Sequence, residues 1–277
     1  MIQLRALAYS QTAPRALGNA TCTGVYSKAI NLLTANHQLL TLHCYPHGIS
    51  PMGWLLRQDD FYLLSEHIGA ESQITLTDSA LIVDNVLIQR AGHPLSLDLH
   101  ANHHPLSALS LQWYLHHVDK ETGLFGSLSQ IVDSPLPDQL GQFSELFCSA
   151  LTGGEADWSP FIGLGPGLTP SGDDMLVGLM AAAFSYEPLA QRLRTQSLID
   201  DSIPLKDLTT QVSYTYLDYA NKGYFATPLL SVVKALQSGK KEHLAIAQLL
   251  MHGHTSGADT LLGLWLGASV VARLRLF

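Results

Sequence analysis

Residues Gly163 to Leu179 read GLGPGLTPSGDDMLVGL. The second half of this stretch opens a helix, and that helix decides the fold. Ser171-Gly172-Asp173-Asp174 fits the S-x-x-D capping-box pattern. In it the serine hydroxyl accepts from the backbone N–H of Asp174, and the Asp174 carboxylate reaches back. Carboxylates in a first turn also suit the positive end of the helix dipole. Such a cap contributes about 1 kcal/mol. The helix that follows is apolar all round and rich in small residues (Gly178, Ala181, Ala182, Ala183), the pattern of a buried helix in close backbone contact.

The same signal occurs again. His254 to Leu264 read HTSGADTLLGL, and this segment aligns with TPSGDDMLVGL so that both copies carry S-G-x-D-x-L-x-G-L. Ser256 and Asp259 then repeat the cap, ahead of Gly263, Gly267 and Ala268. Two copies are too few for a solenoid. They predict two similar helix entries facing one another across a helical layer.

Around this pair the texture is helical. Apolar residues recur at helical spacing over 105–119, 137–151, 173–186, 205–221, 227–238, 242–252 and 258–275, with 121–138 as a Gly/Pro/Asp-rich loop. Upstream, LLTLHCY, GWLLR, FYLLSE, SQITLT and Leu95–Leu99 read as short strands. Asp84-Asn85 between Leu81-Ile82-Val83 and Val86-Leu87-Ile88 is a hairpin signal. VYSKAINLLT reads as a helix packed on the sheet. Strands followed by helices, rather than alternation, predict an α+β chain. The expected domains are a β-rich 1–103 and a helical 104–277 that carries the glycine-rich motif.

Capping explains the serines and one aspartate of each copy. It leaves Gly163, Gly165 and Gly167, and the second carboxylate of the Asp173-Asp174 pair. Alternating glycines allow unusual backbone angles and close approach, and they can turn successive N–H groups inward as an anion nest. A helix N-terminus behind the loop adds donors. The candidate set for a small anionic substrate is therefore Gly163, Gly165, Gly167, Thr169, Ser171, Gly172, His254, Ser256 and Asp259, with Asp173 and Asp174 as catalytic candidates. The loop is not a P-loop, because no Lys-Ser/Thr follows, and its G-x-G-x-G spacing is not the dinucleotide fingerprint. Two adjacent carboxylates suit either Mg²⁺ or an amide group of substrate. No metal ligands are assigned, and His252-Gly253-His254 lacks the further groups a zinc site needs. A structural helix entry and a ligand site both remain open at this point.

Bulk properties narrow the classes. The chain has 277 residues, 47% of them hydrophobic and 14% charged, with a net charge of -8. The low charge content suits a chain with covered surface, and the acidic balance argues against nucleic acid. Cys22, Cys44 and Cys148 show no metal or C-x-x-C spacing and read as buried free thiols of a reducing cytoplasm. The apolar run Leu261–Leu276 is broken by Arg273 and Arg275 and is short for a membrane span. The adjacent pairs His103-His104 and His116-His117 point in different directions and make poor joint ligands. No lysine or arginine falls inside 163–179 or 252–264.

The string G-L-G-P-G-L-T-P-S-G-D-D-M-L-V-G resembles the hallmark of the AllH-type family, once catalogued as a domain of unknown function. HTSGADTLLG is similar to that family's second motif. TTQVSYTYLDYANKGYFATPLLSVVKAL, with Thr210, Ser213, Ala220 and Gly223 in place, resembles its middle stretch. CTGVYSKAINLL and GISPMGWLL resemble its N-terminal part. The resemblance thus covers nearly the whole chain. It implies a subunit of oxamate carbamoyltransferase in bacterial purine and allantoin catabolism, working with two further, unrelated subunits. The implied reaction interconverts oxalurate and phosphate with oxamate and carbamoyl phosphate. Two other classes stay in view. One is a stand-alone metal-dependent hydrolase using Asp173, Asp174, Asp259 and His254. The other is a non-catalytic scaffold.

Overall fold

The computed structural model describes residues 1–274 except Ala16, Glu71 and Asp201. The chain is α+β and divides into two compact units, with the break between Leu97 and Asp98.

The first unit is a curled sheet. Its strands are β1 (Ile2–Arg5), β2 (Ala8–Ser10), β3 (Gly18–Val25), β4 (Ala29–Thr34), β5 (Leu39–Cys44), β6 (Gly53–Leu56), β7 (Ile74–Leu76), β8 (Ala80–Val83), β9 (Val86–Gln89) and β10 (His93–Leu95). They lie in the order β1-β9-β8-β7-β3-β4-β5-β6-β2-β10. Only Ala6 and Leu7 separate β1 from β2, yet these strands sit towards opposite ends of that order. The sheet must therefore bend until its two edges approach. The link is pinned on both sides: Ala6 N–H donates to the Gln89 carbonyl and Leu7 N–H to the Leu55 carbonyl, at 2.9 and 2.7 Å. The Val83↔Val86 pairing closes β8 and β9 through Asp84-Asn85, as the dipeptide predicts. Inside lie Ile30, Leu32, Leu40, Leu42, Trp54 and Ile88.

Two segments of this unit differ from the sequence reading. VYSKAINLLT does not form a helix. Ala29–Thr34 is β4, paired on both sides with β3 and β5, and Leu32 and Leu33 face opposite sides of the sheet. FYLLSE does not form a strand. It lies in α1 (Gln58–His67), where Phe61 and Leu64, three residues apart, share one buried helix face. The expected strand Leu95–Leu99 is shorter as well, ending at Leu95. Cys22 and Cys44 are buried free thiols, and Cys148 is half-buried.

The second unit is helical: α2 (Ala108–Leu115), α3 (Leu128–Val132), α4 (Asp138–Thr152), α5 (Ser171–Phe184), α6 (Glu187–Leu193), α7 (Leu205–Leu208), α8 (Gln211–Ala220), α9 (Thr227–Ser238), α10 (Glu242–Leu250) and α11 (Ser256–Leu274). The helix expected over 205–221 is broken at Thr209, which is extended (φ -143, ψ 179). A short helix, α3, interrupts the 121–138 loop. Residues Arg275 and Leu276 of the expected last helix and apolar run lie outside the described residues. Among the described residues no helix is long and apolar enough to cross a membrane.

α5 and α11 form the centre of this unit and are buried on nearly every side. They run in the same direction. Gly178 lies against Thr260–Leu264, Gly263 against Met175, and Gly267 against Leu179 and Ala182, so the register rises together on both helices. A Cβ at Gly178 would stand 2.2 Å from the Thr260 carbonyl oxygen, and one at Gly263 would stand 2.1 Å from that of Met175. The equivalent glycines of the two repeats are thus the point of closest backbone approach. That contact brings both Ser-Gly-x-Asp entries to the same end of the helix pair.

Candidate functional site

The glycine-rich loop is built on an aromatic floor. Phe143 packs edge-to-face against Trp158 and tilted against Phe161, at centroid distances of 5.8 and 4.8 Å. The Trp158 indole N–H donates to the Leu198 carbonyl at 3.2 Å. From Phe161 the chain turns through Gly163, Gly165 and Gly167, all at positive φ (76, 116 and 95), the conformation that favours glycine. Their crowding differs. A Cβ at Gly163 would meet the Leu208 carbonyl oxygen at 2.1 Å and one at Gly165 the Ser171 nitrogen at 2.8 Å, while Gly167 has open space around it. The first two glycines therefore let the loop lie against its own fold. Pro166, Gly167 and Leu168 are the exposed tip.

The helix entries are capped one residue earlier than the sequence predicts. Pro170 is the N-cap of α5 and makes no side-chain cap bond. The N–H groups of Asp173 and Asp174 donate to its carbonyl at 3.0 and 3.1 Å. In α11 the N–H groups of Ala258 and Asp259 donate in the same way to the Thr255 carbonyl. Because the backbone satisfies these groups, the serines and carboxylates of the motif are free for other partners.

Those partners lie across the helix pair. The hydroxyls of Ser256, from the opposite motif, and of Thr169 lie near Asp174 and favour its charged form. Asp259 accepts from the Gly123 backbone, and the hydroxyls of Thr255 and of Ser171, from the opposite motif, favour its charged form. The Gly123 N–H reaches the Asp259 Oδ1 at 3.0 Å. The two repeats therefore exchange hydroxyl–carboxylate contacts, and the Thr169 and Ser256 hydroxyls meet at 2.8 Å.

Asp173 is placed differently from its neighbour. Its Oδ1 accepts the Gly163 N–H at 2.8 Å. Its Oδ2 accepts from the Ser213 hydroxyl at 2.6 Å and from the Thr209 hydroxyl. Asp173 is 1% exposed and Asp259 0%. Helix capping alone leaves Asp173 for a ligand; the structure instead uses both of its oxygens to tie the glycine-rich loop to α8. Asp174 is partly exposed as a residue, and its Oδ2 is enclosed with no hydrogen-bond partner.

Burial raises all three carboxyls above the ordinary range. Their hydroxyl and backbone donors oppose this shift. The effect is largest at Asp174, where the charges of Asp259 and Asp173 add to it.

Thr209, Ser213 and Gly123 complete the site. Thr209 and Ser213 lie within the stretch that carries the family resemblance, whereas nothing at Gly123 marks it in sequence. Thr210 caps α8 by accepting the Ser213 N–H at 3.0 Å, and its hydroxyl holds the Leu168 carbonyl. Gly172 packs its α-carbon against the Phe161 carbonyl, where a Cβ would come within 2.0 Å. His254 is exposed, and the structure does not join it to this network. Among the described residues no group of three or more His, Cys, Asp or Glu is placed to hold a metal ion. Asp173, Asp174, Asp259 and His254 are therefore not such a group.

These features define a chain with a curled β unit, a helical unit and a carboxylate–hydroxyl cluster at two paired helix entries. The family model of the oxamate carbamoyltransferase subunit AllH matches residues 161–268. The model of the AllH family N-terminal domain matches residues 4–103. The chain belongs to the AllH family. No solved structure matches it.

Proposed function

We propose that this chain is the AllH subunit of an oxamate carbamoyltransferase, working in a hetero-oligomer and contributing the α5/α11 helix entries to a composite active site. The observation that carries the reading is the family match over both units, with the 161–268 match spanning both Ser-Gly-x-Asp motifs. The proposed reactants are oxamate and carbamoyl phosphate, or oxalurate and phosphate in reverse, within purine and allantoin catabolism.

In the transfer, the oxamate amide nitrogen attacks the carbamoyl carbon. A C–N bond forms, the C–O bond to phosphate breaks, and the nitrogen gives up a proton. The reaction needs both reactants held together, donors for the developing oxyanion and a proton acceptor. The loop at Gly165–Thr169 and the Thr169 and Ser256 hydroxyls supply donors. Asp174 orients the amide –NH₂ and takes its proton. Burial raises its carboxyl, which makes its ionised form a stronger base than an ordinary carboxylate. Asp173 and Asp259 are positioning residues in this scheme. Cations for two anionic reactants do not come from the motifs, which fits a site completed by other subunits.

The test is to purify the chain alone and together with the products of neighbouring genes. Oxalurate phosphorolysis and carbamoyl transfer to oxamate are then assayed. The assembly should form carbamoyl phosphate. An intact assembly that transfers no carbamoyl group to oxamate or related amides defeats the proposal.

A further inference from the structure

We propose that three loops over the α5/α11 helix entries form the docking face for a partner subunit, which meets it with apolar residues around a basic side chain. The loops are 122–126, 163–170 and 251–256, and they converge on the two motif serines. A Cβ at Gly123 would stand 2.0 Å from the Ser171 hydroxyl oxygen, and one at Gly165 would stand 3.0 Å from the same atom. A Cβ at Gly253 would stand 2.8 Å from the Ser256 hydroxyl oxygen, which itself lies 2.8 Å from that of Thr169. Each loop presents one large apolar side chain: Leu124 is 40% exposed, Leu168 44% and Met251 61%. Single exposed apolar residues are ordinary, but these three stand on loops that meet at one place. The loops are also held. The Phe125 N–H donates to the Thr122 hydroxyl at 2.9 Å, the Leu168 carbonyl accepts from the Thr210 hydroxyl, and the Gly257 N–H donates to the His252 carbonyl at 3.1 Å. Contact residues that are already ordered lose less freedom on docking.

Charge selects the occupant. None of the three loops contains Asp, Glu, Lys or Arg. Beneath them lie the carboxyls of Asp173, Asp174 and Asp259, and among the described residues none of the three makes an ion pair. The face is thus apolar at its rim and acidic at its centre. A second copy of this chain would bring carboxyls against carboxyls, whereas a basic partner meets opposite charge. The partner's basic side chain also supplies the cation that two anionic reactants require, and in this respect the proposal rests on the carbamoyltransferase reading.

The test titrates the purified full chain with the purified products of the neighbouring genes and measures binding, beside carbamoyl transfer by the wild-type assembly. Leu168→Asp, Leu168→Lys and Met251→Asp replace exposed side chains, so each chain alone should melt with the wild type. Leu168 and Met251 stand on different loops, so one decides the matter if a change at the other disturbs its own loop. Each variant should weaken binding by about tenfold or more. Leu168→Lys should weaken it further than Leu168→Asp, because a basic partner repels the added ammonium. Wild-type affinity in the folded variants of either loop, or a wild-type chain that binds none of these products, overturns the docking face. Leu168→Lys that binds as well as Leu168→Asp or better overturns the basic partner, and a wild-type chain that pairs with its own copy through these residues replaces that partner with a second copy. The two readings fail separately. Binding that is lost as expected, in an assembly whose wild-type form transfers no carbamoyl group, defeats the carbamoyltransferase reading and leaves the face. An active assembly whose binding the variants leave intact defeats the face alone.

Discussion

The hydroxyls of Thr169 and Ser256, 87 residues apart in sequence, lie 2.8 Å from each other. One of the two hydroxyls donates to the other, and both lie close enough to Asp174 to favour its charged form. Thr169 precedes the first Ser-Gly-x-Asp motif and Ser256 belongs to the second, so this contact joins the two repeats at the carboxyl proposed as the base. Removing Ser256 takes away a donor that favours the ionised form. Ser256→Ala should therefore raise the Asp174 carboxyl further. Stability should be close to wild type near pH 4 and about 1–2 kcal/mol lower at pH 8, the scale of a hydrogen bond to a charged group. Urea unfolding at the two pH values checks this. An equal loss at both would detach Ser256 from the Asp174 charge.

The three raised carboxyls set the sign of the wider pH dependence. A carboxyl raised in the folded state holds its proton more tightly there than in the unfolded chain. Its favourable contribution is complete below the ordinary carboxylate pKa of about 4 and is lost as pH rises through the raised value. Asp174 has the largest upward shift and an unpartnered Oδ2. Asp174→Asn should then flatten the fall in stability between pH 4 and pH 8 and raise the melting temperature at pH 8. In the assembled enzyme the same substitution should abolish most of the carbamoyl transfer, by about 100-fold or more. Melting curves across pH, beside activity, separate the two effects. A lower melting temperature at pH 8 would contradict the assignment.

Asp173 predicts a different balance. Three donors converge on it from the loop and from α7–α8. Asp173→Ala should cost about 3 kcal/mol, because three donors, Ser213 among them fully buried, lose their acceptor. Asp173→Asn should cost about 1 kcal/mol, since its amide oxygen can still serve Gly163 and the hydroxyls can turn to accept. Chemical denaturation of both variants measures this. A fully stable Asp173→Ala chain would remove Asp173 as the tether of the loop.

How much of this was legible follows from where each partner lies. The S-G-x-D-x-L-x-G-L repeat and the Asp84-Asn85 hairpin are local patterns, and both helix entries and the turn are readable from them. Ala29–Thr34 and Phe61–Glu66 are apolar runs too short for periodicity to separate strand from helix, and each takes the other form. The capping pattern points to Ser171 and Ser256, because side chains alone do not reveal where a backbone carbonyl does the capping. Here those carbonyls belong to Pro170 and Thr255. The partners of the carboxylates are hidden by distance: Gly123 is 136 residues from Asp259, and Thr209 is 36 from Asp173. Only the tertiary packing around α5 and α11 brings them together.

That packing gives the last prediction. Gly178 and Gly263 occupy equivalent places in the two repeats, and each faces backbone of the other helix, where a Cβ has no room. Alanine is the better helix former, by about 1 kcal/mol in an exposed helix interior. Propensity alone would therefore make either Gly→Ala change stabilising. Overpacking against rigid backbone costs about 1–3 kcal/mol, and here the contact is with carbonyl oxygens that cannot turn away. Each single variant should accordingly lose about 2 kcal/mol of stability. The double variant should lose less than the sum, because helices already forced apart by the first methyl make room for the second. The same separation pulls Ser256 away from Asp174 and Ser171 away from Asp259, so transfer activity should fall in variants that remain folded. A double-mutant cycle by urea denaturation reads the coupling. Strict additivity would mean that the two glycines do not share one contact, and a stabilised single variant would mean that the helices do not touch there.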